Sequence, residues 1–110
     1  MSEIRYAIGT GASQPSVAAI PAGAHVFGWQ VKVTTPFSGG ATLQLGQTGT
    51  ANLIADTSDT DLTDTTGEVQ AGIVDVLWGA SALPLLSTIG GVPVAGAAVI
   101  IVQYSTAVSA

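Results

Sequence analysis

The chain contains no cysteine and very little charge, and each shortage excludes a class of protein. Without cysteine, a disulfide-stabilised scaffold and a cysteine-based zinc site are both excluded. Only 8% of the residues are charged, whereas about a quarter are charged in an ordinary soluble domain. Arg5 and Lys32 are the only permanent cations, so nucleic-acid binding through phosphate neutralisation is not expected. Much of the surface must therefore be uncharged, which is unusual for a free monomer.

The rest of the composition is that of one folded domain. A chain of 110 residues, 47% of them hydrophobic, can bury a single core. The N-terminus has no basic segment followed by an apolar run, so no secretory signal is predicted. Residues 83–102 are mostly apolar and long enough to span a membrane, but Pro84, Pro93 and the Gly90-Gly91 pair interrupt them. We therefore predict two short strands joined by a glycine turn, and no membrane partner.

The hydrophobic pattern predicts β-strands and no helix. Short segments rich in Val, Ile and Thr are separated by Gly, Pro, Ser and Asn about every ten residues. The clearest strand covers residues 25–34, where polar or small residues alternate with large ones that share a predicted face: His25, Phe27, Trp29, Val31 and Val33. Residues 97–104 are apolar on both faces, which is typical of a central strand or of a strand at a subunit contact.

These segments predict an all-β fold, a single β-sandwich or jelly-roll-like domain of about seven or eight short antiparallel strands. The domain is expected over residues 25–110, and residues 1–24 are expected to form an extended N-terminal arm or edge element. Apolar residues of this arm and of the last strand are predicted to contact another subunit: Ile4, Tyr6, Ile8, Val17, Ile20, Val99 and Ile101.

The densest group of titratable residues is an acidic segment with two possible interpretations. Four of its carboxylates are candidate calcium ligands, since hard cations prefer oxygen donors: Asp56, Asp59, Asp61 and Asp64. The EF-hand pattern fails, however, because its sixth position holds Asp64 instead of Gly and its twelfth holds Gln70 instead of Glu. The alternative, which we favour, is a solvated loop whose Asp and Thr side chains form local turns.

The sequence does not predict an enzyme or a cofactor. His25 is the sole histidine, and no cysteine is available to complete a metal site with it. A Ser or Thr nucleophile needs a neighbouring base, and no G-x-S-x-G context surrounds any serine. We expect His25 to be satisfied by backbone groups or by a neighbouring subunit.

Several phrases of the sequence resemble small virion proteins of tailed bacteriophages. Residues 31–39 read VKVTTPFSG and are followed at residues 41–46 by ATLQLG. In those proteins a strand that ends in a similar VTT-x-F-x-G motif is likewise followed by an ATL-x-x-G motif. A polar loop with an Asp61-Leu62-Thr63 phrase comes next, and residues 96–104, GAAVIIVQY, match their closing strand. The resemblance covers residues 25–104 and leaves residues 1–24 unmatched.

This resemblance implies a non-enzymatic, all-β virion protein that is made in the bacterial host cytoplasm and located on the phage particle. It implies a homo-oligomer, by analogy a trimer, that contacts the major capsid protein or other virion proteins. The expected role is capsid decoration, in which the protein acts as a cement between capsomers. The alternatives are a tail or fibre component, or a carbohydrate- or receptor-binding module that holds calcium at the acidic segment.

Overall fold

The computed structural model describes residues 2–62, 69–79, 81–91 and 93–105. These residues form eight β-strands and contain no helix: β1 Ser2–Ile8, β2 Ser13–Ile20, β3 His25–Thr35, β4 Thr42–Gln47, β5 Thr50–Ala55, β6 Val69–Leu77, β7 Leu83–Gly90 and β8 Ala97–Ser105. The prediction of an all-β chain is confirmed. In the described part of the chain there is no helix long and apolar enough to cross a membrane.

The strands form two four-stranded sheets with a nested pairing scheme. Sheet A has the order β1-β8-β3-β6, and sheet B has the order β2-β7-β4-β5. The first strand pairs with the last, the second with the seventh, the third with the sixth and the fourth with the fifth, all antiparallel. This is the strand order of a jelly roll, so the predicted sandwich architecture is confirmed.

β1 is an edge strand of sheet A, and β2 is an edge strand of sheet B. β1 pairs with β8 over its whole length, and β2 pairs with β7 with an irregularity between Pro15 and Ala19. Ile4, Ile8 and Ile20 point between the sheets and are buried in the core of their own chain. These strands therefore contribute to the sandwich, and their use as an arm on another subunit stays a prediction.

The core fills the space between the inner faces of the two sheets. Four fully buried aliphatic side chains come from sheet A: Val26, Val31, Ile100 and Val102. Sheet B provides Leu43, Leu45 and Leu85, which are also fully buried. Trp78 is buried just after β6, and its indole N–H donates to the Leu83 carbonyl at 3.2 Å. Shortening Ile100 or one of these leucines to alanine is expected to cost about 2–5 kcal/mol.

The single predicted face of residues 25–34 is wrong at its beginning. A β-bulge lies between Val26 and Gly28, where β3 advances by two residues while β8 advances by one, from Tyr104 to Gln103. Because a bulge shifts the alternation by one residue, Val26 and Trp29 both face the core. His25 and Phe27 consequently lie on the outer face of sheet A and are only partly buried.

Candidate interaction surface

The outer face of β6 carries an unusual concentration of exposed aliphatic side chains. Its residues alternate strictly between exposed and half-buried, and Val69, Ile73 and Leu77 on the outer side are 54%, 94% and 66% exposed. Among the described residues one further large apolar side chain is exposed, that of Val94 in the β7–β8 loop. Exposed aliphatic residues that share one strand face indicate a contact surface more strongly than scattered ones do.

The apolar surface continues across sheet A towards β1. Ile101 of β8 lies between Arg5 of β1 and Gln30 of β3, and in the next row Val99 lies beside Lys32. Val99 and Ile101 are half-buried. Both permanent cations of the chain therefore lie on this face. We call the set Arg5, Phe27, Lys32, Val69, Ile73, Leu77, Val99 and Ile101 the outer surface of sheet A.

Two open cavities lie on this outer surface. The larger, about 710 Å³, is bounded mainly by Phe27, Gln30, Ile73 and Gln103. The smaller, about 350 Å³, has an apolar floor of Val69, Val99 and Ile101, with Arg5 and Lys32 at its sides. A mostly apolar surface with a few polar groups at its edge has the composition of a protein–protein contact.

The chain's histidine lies at the margin of the outer surface. The Nε2 atom of His25 contacts a carboxylate oxygen of Asp75, which joins the start of β3 to β6. No group of three or more His, Cys, Asp or Glu side chains that could hold a metal occurs among the described residues. The structure thus places His25 in a strand-to-strand contact of its own chain.

The residues predicted to contact another subunit fall into separate environments. Ile4, Ile8 and Ile20 are buried within the chain, which accounts for their apolar character without a partner. Val99 and Ile101 lie on the outer surface of sheet A, where they are accessible to a partner. The side chain of Val17 lies outside the described residues. Val69, Ile73 and Leu77 were not among the residues predicted from the sequence, although their spacing of four along an alternating strand places them on one face.

Tyr6, whose contact with another subunit stays a prediction, connects the two sheets of its own chain. Its hydroxyl donates to the Ser87 hydroxyl at 3.0 Å, and Ser87 in turn donates to the Gln14 carbonyl at 2.8 Å. Ser87 is fully buried. Burial raises the pKa of the Tyr6 phenol, and the Ser87 hydrogen bond opposes that shift. The phenol is therefore neutral at ordinary pH and acts as a donor within the sandwich.

The acidic segment is organised by local hydrogen bonds. The Asp56 carboxylate accepts hydrogen bonds from the Gln44 amide at 3.0 Å and from the Thr57 N–H at 2.7 Å. These bonds, with a weaker one from Asn52, lower the pKa of Asp56. The Asp59 carboxylate accepts from the Asp56 N–H at 2.8 Å, which closes a turn. Asp59 and Asp61 are exposed, and Asp64 lies outside the described residues, so the calcium hypothesis stays a prediction.

The fold, but no sequence family, connects the chain to known proteins. No protein-family model matches the sequence, and no curated protein matches it. A chain of the cyanophage Pam1 capsid asymmetric unit is similar in structure, with a TM-score of 0.64 and 18% identity over 93% of this chain and 80% of that one. A chain in the acidic stable capsid structure of Helicobacter pylori bacteriophage KHP30 is also similar, with a TM-score of 0.70 and 17% identity over 94% of this chain and 85% of that one. At these identities the likeness establishes a shared fold.

Proposed function

We propose that the protein is a non-enzymatic structural component of a bacteriophage virion. The observation that carries this proposal is the fold likeness to chains from two phage capsids, each over more than nine tenths of this chain. The exposed aliphatic residues of β6 support it independently, because a chain with so few charges needs a partner to cover them. The protein is made in the host cytoplasm and is located on the particle.

Within the virion, the proposed role is that of a capsid decoration or cement protein. The outer surface of sheet A contacts the major capsid protein or further copies of this chain, and the protein assembles as a homo-oligomer, by analogy a trimer. Removing an exposed Val, Leu or Ile side chain from water contributes about 1.5–3 kcal/mol. Binding to the assembled shell in preference to its separate subunits would stabilise that shell by mass action.

The test uses capsids that are assembled without this protein and the purified full-length chain. We expect saturable binding and a higher temperature of capsid rupture in the decorated particles. Ile73→Asp is expected to weaken binding at least about tenfold, because a carboxylate would have to be desolvated in the contact. Val94→Asp is the matched control, since Val94 is similarly exposed at 87% but lies away from the outer surface.

The proposal fails if the wild-type chain does not bind such capsids. It also fails if decorated and bare capsids rupture at the same temperature. Equal binding by Ile73→Asp and Val94→Asp would remove the outer surface of sheet A from the mechanism.

A further inference from the structure

The free edge of β6 differs from the other three sheet edges. β6 is nine residues long, contains neither proline nor lysine, and in the described part of the chain no strand pairs with its outer edge. The other edge strands have features that hinder pairing with a strand of another molecule. β1 has the charged side chains of Glu3 and Arg5, β2 has Pro15 and an irregular register, and β5 has only six residues. β6 has one charged residue, Asp75, and an irregular register against β3, but its other eight residues are uncharged and none is proline. It is thus the edge best suited to accept another strand.

We propose that the occupant of this edge is β6 of a second copy, paired antiparallel about Ile73. Two copies of the same strand edge that meet about a two-fold axis must run antiparallel. In a register centred on Ile73, Val69 of one copy lies opposite Leu77 of the other, and Ala71 lies opposite Asp75. The pairing places aliphatic side chains opposite each other at three positions on the outer face.

Other registers of the two β6 strands leave more backbone N–H and C=O groups without a partner. Only the register centred on residue 73 pairs all nine residues of β6, since any other centre leaves the end of each strand without a partner. A register centred on Asp75 would also place two carboxylates directly opposite each other, which is destabilising. In the proposed register each Asp75 keeps its contact with His25 of its own chain and faces a small, uncharged alanine.

The contact would join two A sheets into one continuous eight-stranded sheet. The outer surfaces of both copies would then form one apolar face, with Ile73 of each copy at its centre. Being two-fold, this contact is distinct from one that closes a trimer, and it links subunits of neighbouring assemblies. Its place on a particle rests on the proposed function, whereas the strand pairing does not.

The chain has no native cysteine, so single-cysteine variants report the register without background. In the proposed pair, residue 73 faces residue 73 of the other copy, with Cβ atoms about 4.5–5.5 Å apart and close enough to form a disulfide with a small adjustment. Residue 71 of each copy lies four residues away from residue 71 of the other, about 13 Å along the strand. We therefore expect mild oxidation to cross-link Ile73→Cys at least about tenfold faster than Ala71→Cys.

Cross-linking in a mixture of the Val69→Cys and Leu77→Cys variants is a second test of the register. Residue 69 should cross-link to residue 77 of the other copy, so each variant alone should stay uncross-linked while the mixture forms a disulfide dimer on a non-reducing denaturing gel. Val94→Cys, exposed in a loop, gives the rate of random collision. Both the purified protein at high concentration and the protein bound to capsids are oxidised.

Cross-linking of Ile73→Cys at the rate of Val94→Cys in both settings would overturn the strand pairing. Equal rates for Ile73→Cys and Ala71→Cys would overturn the register. If Ile73→Cys fails to cross-link but wild-type protein binds capsids, the proposed function stands and the occupant of β6 is a capsid protein. If it cross-links in solution but wild-type protein does not bind capsids, the pairing stands and the proposed function fails.

Discussion

The hydroxyl of Tyr6 in sheet A donates a hydrogen bond to the hydroxyl of Ser87 in sheet B at 3.0 Å. The two residues are separated by 81 positions in the sequence and belong to different sheets. Since Ser87 is fully buried and passes its own hydrogen to the Gln14 carbonyl, the three groups form a continuous chain through the sandwich. A sandwich held mainly by apolar contacts thereby gains a directional link between its layers.

Tyr6→Phe is expected to destabilise the protein by about 0.5–1.5 kcal/mol, because it removes the hydrogen bond and retains the ring. Urea unfolding of the variant and of the wild type measures this difference. Tyr104→Phe is the matched control, since the Tyr104 hydroxyl has no hydrogen bond among the described residues and its ring packs against the core. Equal losses in the two variants would contradict a role for the Tyr6–Ser87 link.

Stability should also fall at alkaline pH through Tyr6. Burial raises the pKa of this phenol in the folded protein above its ordinary value of 10.0. The unfolded chain therefore loses this proton at a lower pH than the folded chain does. The stabilisation is complete below pH 10 and is lost as the pH rises from there through the folded pKa. Unfolding free energies measured across this range should decline less steeply in Tyr6→Phe, and identical slopes would contradict the prediction.

Gly72→Ala is expected to disturb the packing of Trp29. A Cβ atom at Gly72 would overlap the indole of Trp29, its directly paired neighbour in sheet A. Forcing the ring aside should cost about 1–3 kcal/mol and shift the tryptophan fluorescence. Gly9→Ala is the control because a Cβ atom there meets no neighbour within 4 Å. An unchanged spectrum in Gly72→Ala would contradict the packing described for this strand pair.

Calcium removal should leave the stability unchanged. Gln44, Thr57 and, more weakly, Asn52 already donate hydrogen bonds to the Asp56 carboxylate. The turn of Asp56 with Asp59 closes without a cation. Thermal melts with calcium and with EDTA should therefore coincide. A shift of several degrees would instead favour the binding module with calcium at the acidic segment.

Strand existence was predictable from the sequence, but strand placement was not. Alternation identifies β3, and a continuous apolar run identifies β8. Closely spaced turn residues favour a sandwich fold. The bulge after Val26 reversed the expected face of His25 and Phe27 because a single inserted residue leaves no signal in a hydrophobic pattern.

The candidate interaction surface was harder to predict because burial depends on which side of a strand meets the opposite sheet. Ile4 and Ile8 have the same apolar character as Val99 and Ile101, yet the first pair lies inside the sandwich and the second lies outside. The free edge of β6 was not predictable from local sequence, because it depends on the strand order of sheet A, and pairing between distant segments determines that order.

The central claim, that copies of this chain associate through sheet A, is tested most directly by the mass of the purified chain in solution. Light scattering over a range of concentrations should give a multiple of the chain mass of 10.9 kDa. Ile73→Asp should lower that multiple, while Val94→Asp should leave it unchanged. A wild-type mass of 10.9 kDa at every concentration would contradict the claim.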